Sequence, residues 1–210
     1  MKNVYIYGAG GFGREIFCWL RDVQKQDLEI NFVGFLDDAS DPSIFSDLKD
    51  LYLGKGEDWK PGENDYVVVA VGLIDAKVTI CNRLKNKGVR FFNLIHPSAI
   101  FGSDIVMGEG NVICPNCVFT TNISIGDFNH INVATTIGHD VVIGSYNTLS
   151  AHNDITGFVT VGDENFLGSR VSVAPGKKIG SRNKISAGSV LFRNVKDNMM
   201  VMGNPAKSFK

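Results

Sequence analysis

The chain reads as two folds in series, an α/β Rossmann-like domain with a parallel sheet over residues 1–95 and an all-β parallel β-helix of hexapeptide repeats over 96–195, with 196–210 as a C-terminal tail. Three observations predict this. Strand-like and helix-like segments alternate up to about residue 94, an apolar period of six begins at Phe101, and that period runs without interruption to Leu191.

In the first half, residues 4–7 are apolar and β-prone, 12–23 carry a helical pattern, 32–36 form a strand, 66–71 a buried strand, 76–87 a helix and 89–94 a strand. Strands alternating with helices predict βαβ units and a small open parallel sheet. Between Ala39 and Asn64 the pattern gives way to polar turns containing Pro42, Gly54, Gly56, Pro61 and Gly62.

In the second half, stepping by six from Phe101 through Met107, Ile113 and Phe119 to Leu191 meets sixteen positions, all apolar. At 44% hydrophobic content, chance would produce such a run about a few times in a million. Glycine follows the apolar residue at 102, 108, 126, 138, 144, 162, 168 and 180, which predicts a permissive backbone at each corner. Each hexad is then a short strand and a turn, and three hexads per coil give an eighteen-residue repeat. Stacked coils bury one apolar column and satisfy their backbone polar groups in parallel ladders.

The 210 residues suffice for a substantial core. The net charge of -1, from 21 basic and 22 acidic residues without long runs, offers no electrostatic reason to expect nucleic acid or an anionic membrane as partner. No signal-peptide pattern opens the chain and no apolar run is long enough to span a bilayer, so a cytoplasmic protein is expected. Cys18, Cys81, Cys114 and Cys117 are too few and scattered for a disulfide framework. The Cys114-x-x-Cys117 pair lacks a second pair nearby, so packing rather than metal is expected there.

Gly8, Gly10, Gly11 and Gly13 follow a strand and open a helix, the context of a phosphate-cradling turn. Asp37 and Asp38 end the next strand, where an acid can bind a ribose hydroxyl. The motif alone fits NAD nearly as well as a nucleotide-sugar. The small size of this half, without a second mononucleotide-binding half, favours one nucleotide linked to a sugar.

Taken together, YIYGAGGFG at 5–13, FLDD at 35–38, VG at 71–72, LIHPSA at 94–99, GHD at 138–140 within the hexads and MGNPAK at 202–207 make the chain similar to a known family. It resembles the bacterial sugar O-/N-acyltransferases, grouped with sialic acid O-acetyltransferases and nucleotide-amino-sugar N-acetyltransferases. The resemblance implies a left-handed winding of the β-helix, a homotrimer, acetyl-CoA in the groove between neighbouring β-helices, and a nucleotide-linked amino sugar presented to that groove by the N-terminal domain. The implied reaction is N-acetylation of a sugar of the 4-amino-4,6-dideoxy type for a surface glycan, without metal. The alternatives are a sugar O-acetyltransferase and a non-catalytic nucleotide-sugar-binding scaffold.

The resemblance places catalysis at His139, with Asp140 orienting it. A base must take the acceptor's proton, and imidazole suits that work near neutral pH. The eighteen-residue coil sets Gly157 on the corresponding corner one coil later, about 5 Å along the stack. There its backbone N–H would meet the thioester carbonyl, as in similar enzymes. Asn132 matches a polar position near the acceptor or equally an Asn-ladder or turn residue, Gly72 belongs to the sugar-nucleotide site, and Ser169, Ala187, Gly188 and Pro205 match stretches lining the coenzyme groove. Phe12 stands where amino-sugar members often carry His, and Thr148 where some relatives place a second His. His130 and His152 lie in other hexad phases from His139 and carry less weight, with their roles left open.

Overall fold

The computed structural model describes residues 1–38 and 49–210; the polar turns expected at 39–48, Pro42 among them, lie outside these. The chain divides into two compact units, Met1–Pro97 and Ser98–Lys210. Among the described residues no helix is long and apolar enough to cross a membrane.

The first unit runs β1 (Lys2–Tyr7), α1 (Gly11–Gln24), β2 (Ile30–Leu36), β3 (Tyr52–Gly54), β4 (Asp65–Val69), α2 (Ile74–Asn86) and β5 (Arg90–Phe91). All strands are parallel in the order β3-β2-β1-β4-β5. The chain therefore reverses its direction of winding between β1 and β4, and a crevice opens beyond their carboxyl ends. Val4, Ile6, Val67 and Val68 fill the sheet's interior. Gly13, Ile16 and Leu20 give α1 its buried stripe, spaced three and four apart as a helix requires. The strand expected at 66–71 ends at Val69, and that expected at 89–94 contributes only Arg90–Phe91 to this sheet.

In the second unit each coil contributes one strand to each of three faces, in eighteen-residue register as far as Leu191 and sixteen in the last coil. Phe119 pairs with Ile137, Ile137 with Ile155, Ile155 with Val173 and Val173 with Leu191. Ile125, Ile143, Val161 and Ile179 line the second face, and Ile131, Leu149, Leu167 and Ile185 the third. Of the sixteen apolar positions all are buried except the half-buried Phe101 and Met107 in the first coil. The residues expected as a tail instead extend the third face. Met200–Gly203 pairs parallel with Lys184–Ile185, and Ala206–Phe209 folds back antiparallel upon it.

The corner glycines act differently from expectation. The left-handed backbone falls two residues later, at Asp104, Asn116, Asn122, Phe128, Ala134, Asp140, Tyr146, His152, Phe158 and onward every sixth residue. The glycines after the apolar residue are needed for space: a Cβ on Gly138 would lie 2.7 Å from the Gly157 nitrogen and one on Gly168 2.5 Å from that of Ala187. Coils stack at strand spacing, and at this point of the corner the next coil's backbone occupies the side-chain volume.

Two polar ladders lock the second-to-third-face corner. Asn111, Asn129, Asn147, Asn165 and Asn183 are all buried, each side-chain oxygen accepting from the side-chain and backbone N–H of the next where the ladder continues. Beside them Asp127, Ser145, Asp163 and Ser181 accept backbone N–H bonds from the preceding coil.

Candidate active site

The carboxyl ends of β1, β2 and β4 enclose a cleft of about 390 Å³, lined by Tyr7, Gly8, Gly10, Gly11, Phe12, Asp37, Asp38 and Gly72, among others. The structure thus gathers the predicted nucleotide-sugar residues on one cleft, with Gly13 behind it. Gly8 sits at φ +105, where L side chains are rare, with its Cβ position 2.8 Å from the Ala70 oxygen. Gly13 is buried, and a Cβ there would collide with the Gly8 carbonyl, so the first turn of α1 can approach β1 only without a side chain. Gly10 caps α1 without a side-chain partner, leaving the helix's first N–H groups directed toward the cleft.

The two aspartates are engaged by the protein. Asp37 accepts the Ala9 N–H at 2.7 Å. Asp38 accepts the Tyr7 hydroxyl and Arg83, each at 2.5 Å, and the Glu57 N–H at 3.1 Å. Burial alone would raise the Asp38 carboxyl; these bonds outweigh it and hold the group below its ordinary value. Burial and the same carboxylate push the Tyr7 hydroxyl upward. Arg83 and Tyr7, which also hydrogen-bond each other, were not identified from the sequence, because their meeting depends on how α2 packs beside β1. Phe12 packs edge-on to Trp19 at 6.2 Å between ring centroids.

The second cluster lies at the corner between the first and second faces of the β-helix. His139 Nδ1 stands 2.8 Å from Asp140 Oδ2. An ionised carboxylate only accepts, so Nδ1 carries the proton and Nε2 the lone pair. Asp140 Oδ1 accepts the Asn122 side-chain amide at 2.6 Å. The His139 and Asn122 bonds hold the Asp140 carboxyl below its ordinary value. The imidazole edge, Nε2 and Cε1, packs against buried Gly157, 2.6 Å from where a Cβ would stand. Among the described residues nothing accepts from the Gly157 N–H. Phe158, one coil above Asp140, sets its ring perpendicular to the imidazole at 4.9 Å. An uncommitted ring nitrogen and an uncommitted backbone donor at one corner suit proton removal and oxyanion stabilisation.

Other predicted residues fall elsewhere on the β-helix. Asn132, Ser169, Ala187 and Gly188 belong to the corner between the third and first faces, while exposed Pro205 joins the last two strands. Asn132 turns its side-chain oxygen onto the Val133 N–H at 2.7 Å, a turn role. Gly188 donates its N–H to the Ser169 carbonyl. His130 is buried and His152 exposed. Cys114 and Cys117 are buried, and burial pushes the Cys117 thiol up to about 11. Among the described residues no group of three or more His, Cys, Asp or Glu could hold a metal ion.

Known proteins share the fold of the chain. The family model described as the PglD N-terminal domain matches residues 3–84. WeeI from Acinetobacter baumannii AYE superposes with a TM-score of 0.89 at 25% identity over 100% of both chains. PerB from Caulobacter crescentus, in complex with CoA and GDP-perosamine, gives 0.88 at 26% identity over 100% of this chain and 98% of that one. The fold is thus similar to that of these two proteins along the whole chain. The UDP-N-acetylbacillosamine N-acetyltransferase of Bacillus subtilis (strain 168) is 32% identical over 117 residues, 54% of this chain and 51% of that protein. The match thus spans about half the length of this curated relative.

Proposed function

We propose that the chain transfers an acetyl group from acetyl-CoA to the amine of a nucleotide-linked sugar of the 4-amino-4,6-dideoxy type, with His139 as the general base. The observation that carries the reading is the corner at His139, where Nδ1 is tied to Asp140 and the opposite edge faces Gly157. Bound CoA with GDP-perosamine in PerB and bound acetyl coenzyme A in the acetyltransferase domain of PglB from Neisseria gonorrhoeae FA1090, 25% identical, support the substrate classes.

The neutral amine adds to the thioester carbonyl and forms the new C–N bond. The Gly157 N–H donates to the oxygen as it gains charge. Nε2 of His139 takes the proton from nitrogen while Asp140 balances the imidazolium. The C–S bond then breaks, and the imidazolium proton passes to the departing sulfur. The nucleotide lies in the glycine-lined cleft, where the α1 N-terminus offers donors to its phosphates.

A homotrimer belongs to the same reading. In one β-helix the His139–Gly157 corner and the Ser169–Ala187–Gly188 corner are different edges of the triangle, so one coenzyme touches both sets only in a groove between two copies.

The test is release of coenzyme A across a panel of nucleotide-linked 4-amino sugars and their hydroxyl counterparts, with parent and His139→Ala proteins. Release with an amino sugar, reduced about 1,000-fold or more in the variant, is the expected result. Release only with hydroxyl sugars would make the protein an O-acetyltransferase, and unchanged turnover in the variant would remove His139 as base.

A further inference from the structure

Asn122, Asp140 and Phe158 stand at successive eighteen-residue intervals, one per coil, all with left-handed backbone at φ 53, 58 and 61. They form a column along the corner on which His139 sits. The middle member binds the imidazole through one carboxylate oxygen and the lower member through the other. With its backbone fixed, an aspartate keeps two side-chain torsions, and hydrogen bonds to both carboxylate oxygens together restrain both. The Asn122 backbone is fixed in turn, its N–H donating to the Ser103 carbonyl at 3.1 Å.

We infer that Asn122 is a positioning residue for the acyl transfer proposed above, holding the Asp140 carboxylate so that His139 keeps its proton on Nδ1 and its lone pair on Nε2. The inference rests on His139 acting as the base. Asn122 acts wholly through Asp140, as its amide makes no bond to the imidazole. The electrostatic surroundings are simple. Asp140 is the charged group bonded to His139, Phe158 and Gly157 face the ring from the next coil, and residues 98–164 contain no lysine or arginine.

Two substitutions separate this role from a structural one. Asn122→Gly keeps the left-handed backbone at no steric cost and removes only the amide. Asn122→Asp keeps a residue tolerant of that backbone but sets a second carboxylate against the first. Nitrogen-15 chemical shifts of the His139 ring read the tautomer directly, and need no turnover. The parent is expected to show protonated Nδ1 below the transition to imidazole's neutral form and a single Nδ1–H tautomer above it. Asn122→Gly is expected to mix the two neutral tautomers and to lower kcat about tenfold with KM for acetyl-CoA unchanged. Asn122→Asp adds negative charge, favours the imidazolium and moves the acid limb of kcat/KM to higher pH. A single parent-like tautomer in Asn122→Gly, with parent kcat, would overturn the inference. Mixed tautomers in a protein whose parent releases no coenzyme A would instead leave the positioning intact and remove the proposed reaction.

Discussion

A Cβ on Gly157 would lie 2.6 Å from both Nε2 and Cε1 of His139, well inside van der Waals contact. The imidazole is half-exposed and can swing clear, so Gly157→Ala is expected to keep its thermal unfolding close to the parent's while kcat falls about 100-fold. Circular-dichroism melts beside coenzyme release distinguish this from general damage, which would lower both. Lys77 raises a separate issue. It completes the buried stripe of α2 with Cys81 and Leu84, and burial pulls its ammonium down to about 7. In the unfolded chain that group titrates near about 10.4. Between the two values the unfolded state binds more protons, so stability rises with pH there; below the lower one both states are charged and the burial cost is undiminished. Urea titrations across this interval are expected to show the rise, and Lys77→Met to flatten it. An unaltered slope would assign the titration elsewhere. The spacing alone predicts that Gly157 shares a corner with His139 and Asp140, as the structure has it, whereas the choice of His139 and Asp140 as catalytic came from the family resemblance. Asn122 obeys the same spacing, and stepping back eighteen from Asp140 would have found it. The engagement of Asp37 and Asp38 by Ala9, Tyr7 and Arg83 was not legible, since no periodicity connects those partners.

At the level of the coil, two kinds of corner position behave in opposite ways. Gly138 has an ordinary backbone, but its Cβ would meet the Gly157 nitrogen at 2.7 Å. Ala134 has room for its side chain and a φ of 55. Gly138→Ala should therefore cost about 2 kcal/mol by forcing coils apart. Ala134→Gly should gain about 0.5 kcal/mol, the relief of left-handed strain slightly exceeding the added chain entropy. Equilibrium denaturation checks both, and equal effects would refute the distinction. The sequence shows glycine at one corner position and not where the backbone turns left-handed, so a period of six alone assigns the wrong reason to it. The Asn ladder also belongs to this scale. Asn147→Ala removes the acceptor of two Asn165 N–H bonds and a donor to Asn129, all of them buried. A loss of about 3 kcal/mol is expected in the same measurement, and one near zero would show the ladder dispensable. That ladder is visible in the sequence at a step of eighteen, although apolar periodicity does not reveal it.

For the whole molecule, the near-neutral total conceals a separation of charge along the β-helix. Residues 98–164 hold seven acidic side chains and no lysine or arginine; residues 165–210 hold nine lysines and arginines and one acid, Asp197. Counting runs in the sequence misses this, since the basic residues are scattered over the segment and the imbalance appears only when the two segments are counted separately. The fields of the two ends act on opposite parts of the proposed reaction. Coenzyme A carries its phosphates at one end and its thioester at the other. Arg193 and Lys207, with Pro205, line a cleft of about 530 Å³ at the last coil, suited to the phosphate end. The acidic coils around His139 suit an acceptor that arrives as an ammonium and must lose protons before it attacks. Exposed attractions of this kind weaken with salt as the screening length falls below about 10 Å. KM for acetyl-CoA is therefore expected to rise with ionic strength in the parent, and Arg193→Glu with Lys207→Glu to raise it about tenfold and lessen its salt dependence, with kcat little changed. Measuring initial rates over a range of salt at saturating amino sugar tests the gradient directly. A salt-independent KM in the parent would show that the basic end has another purpose.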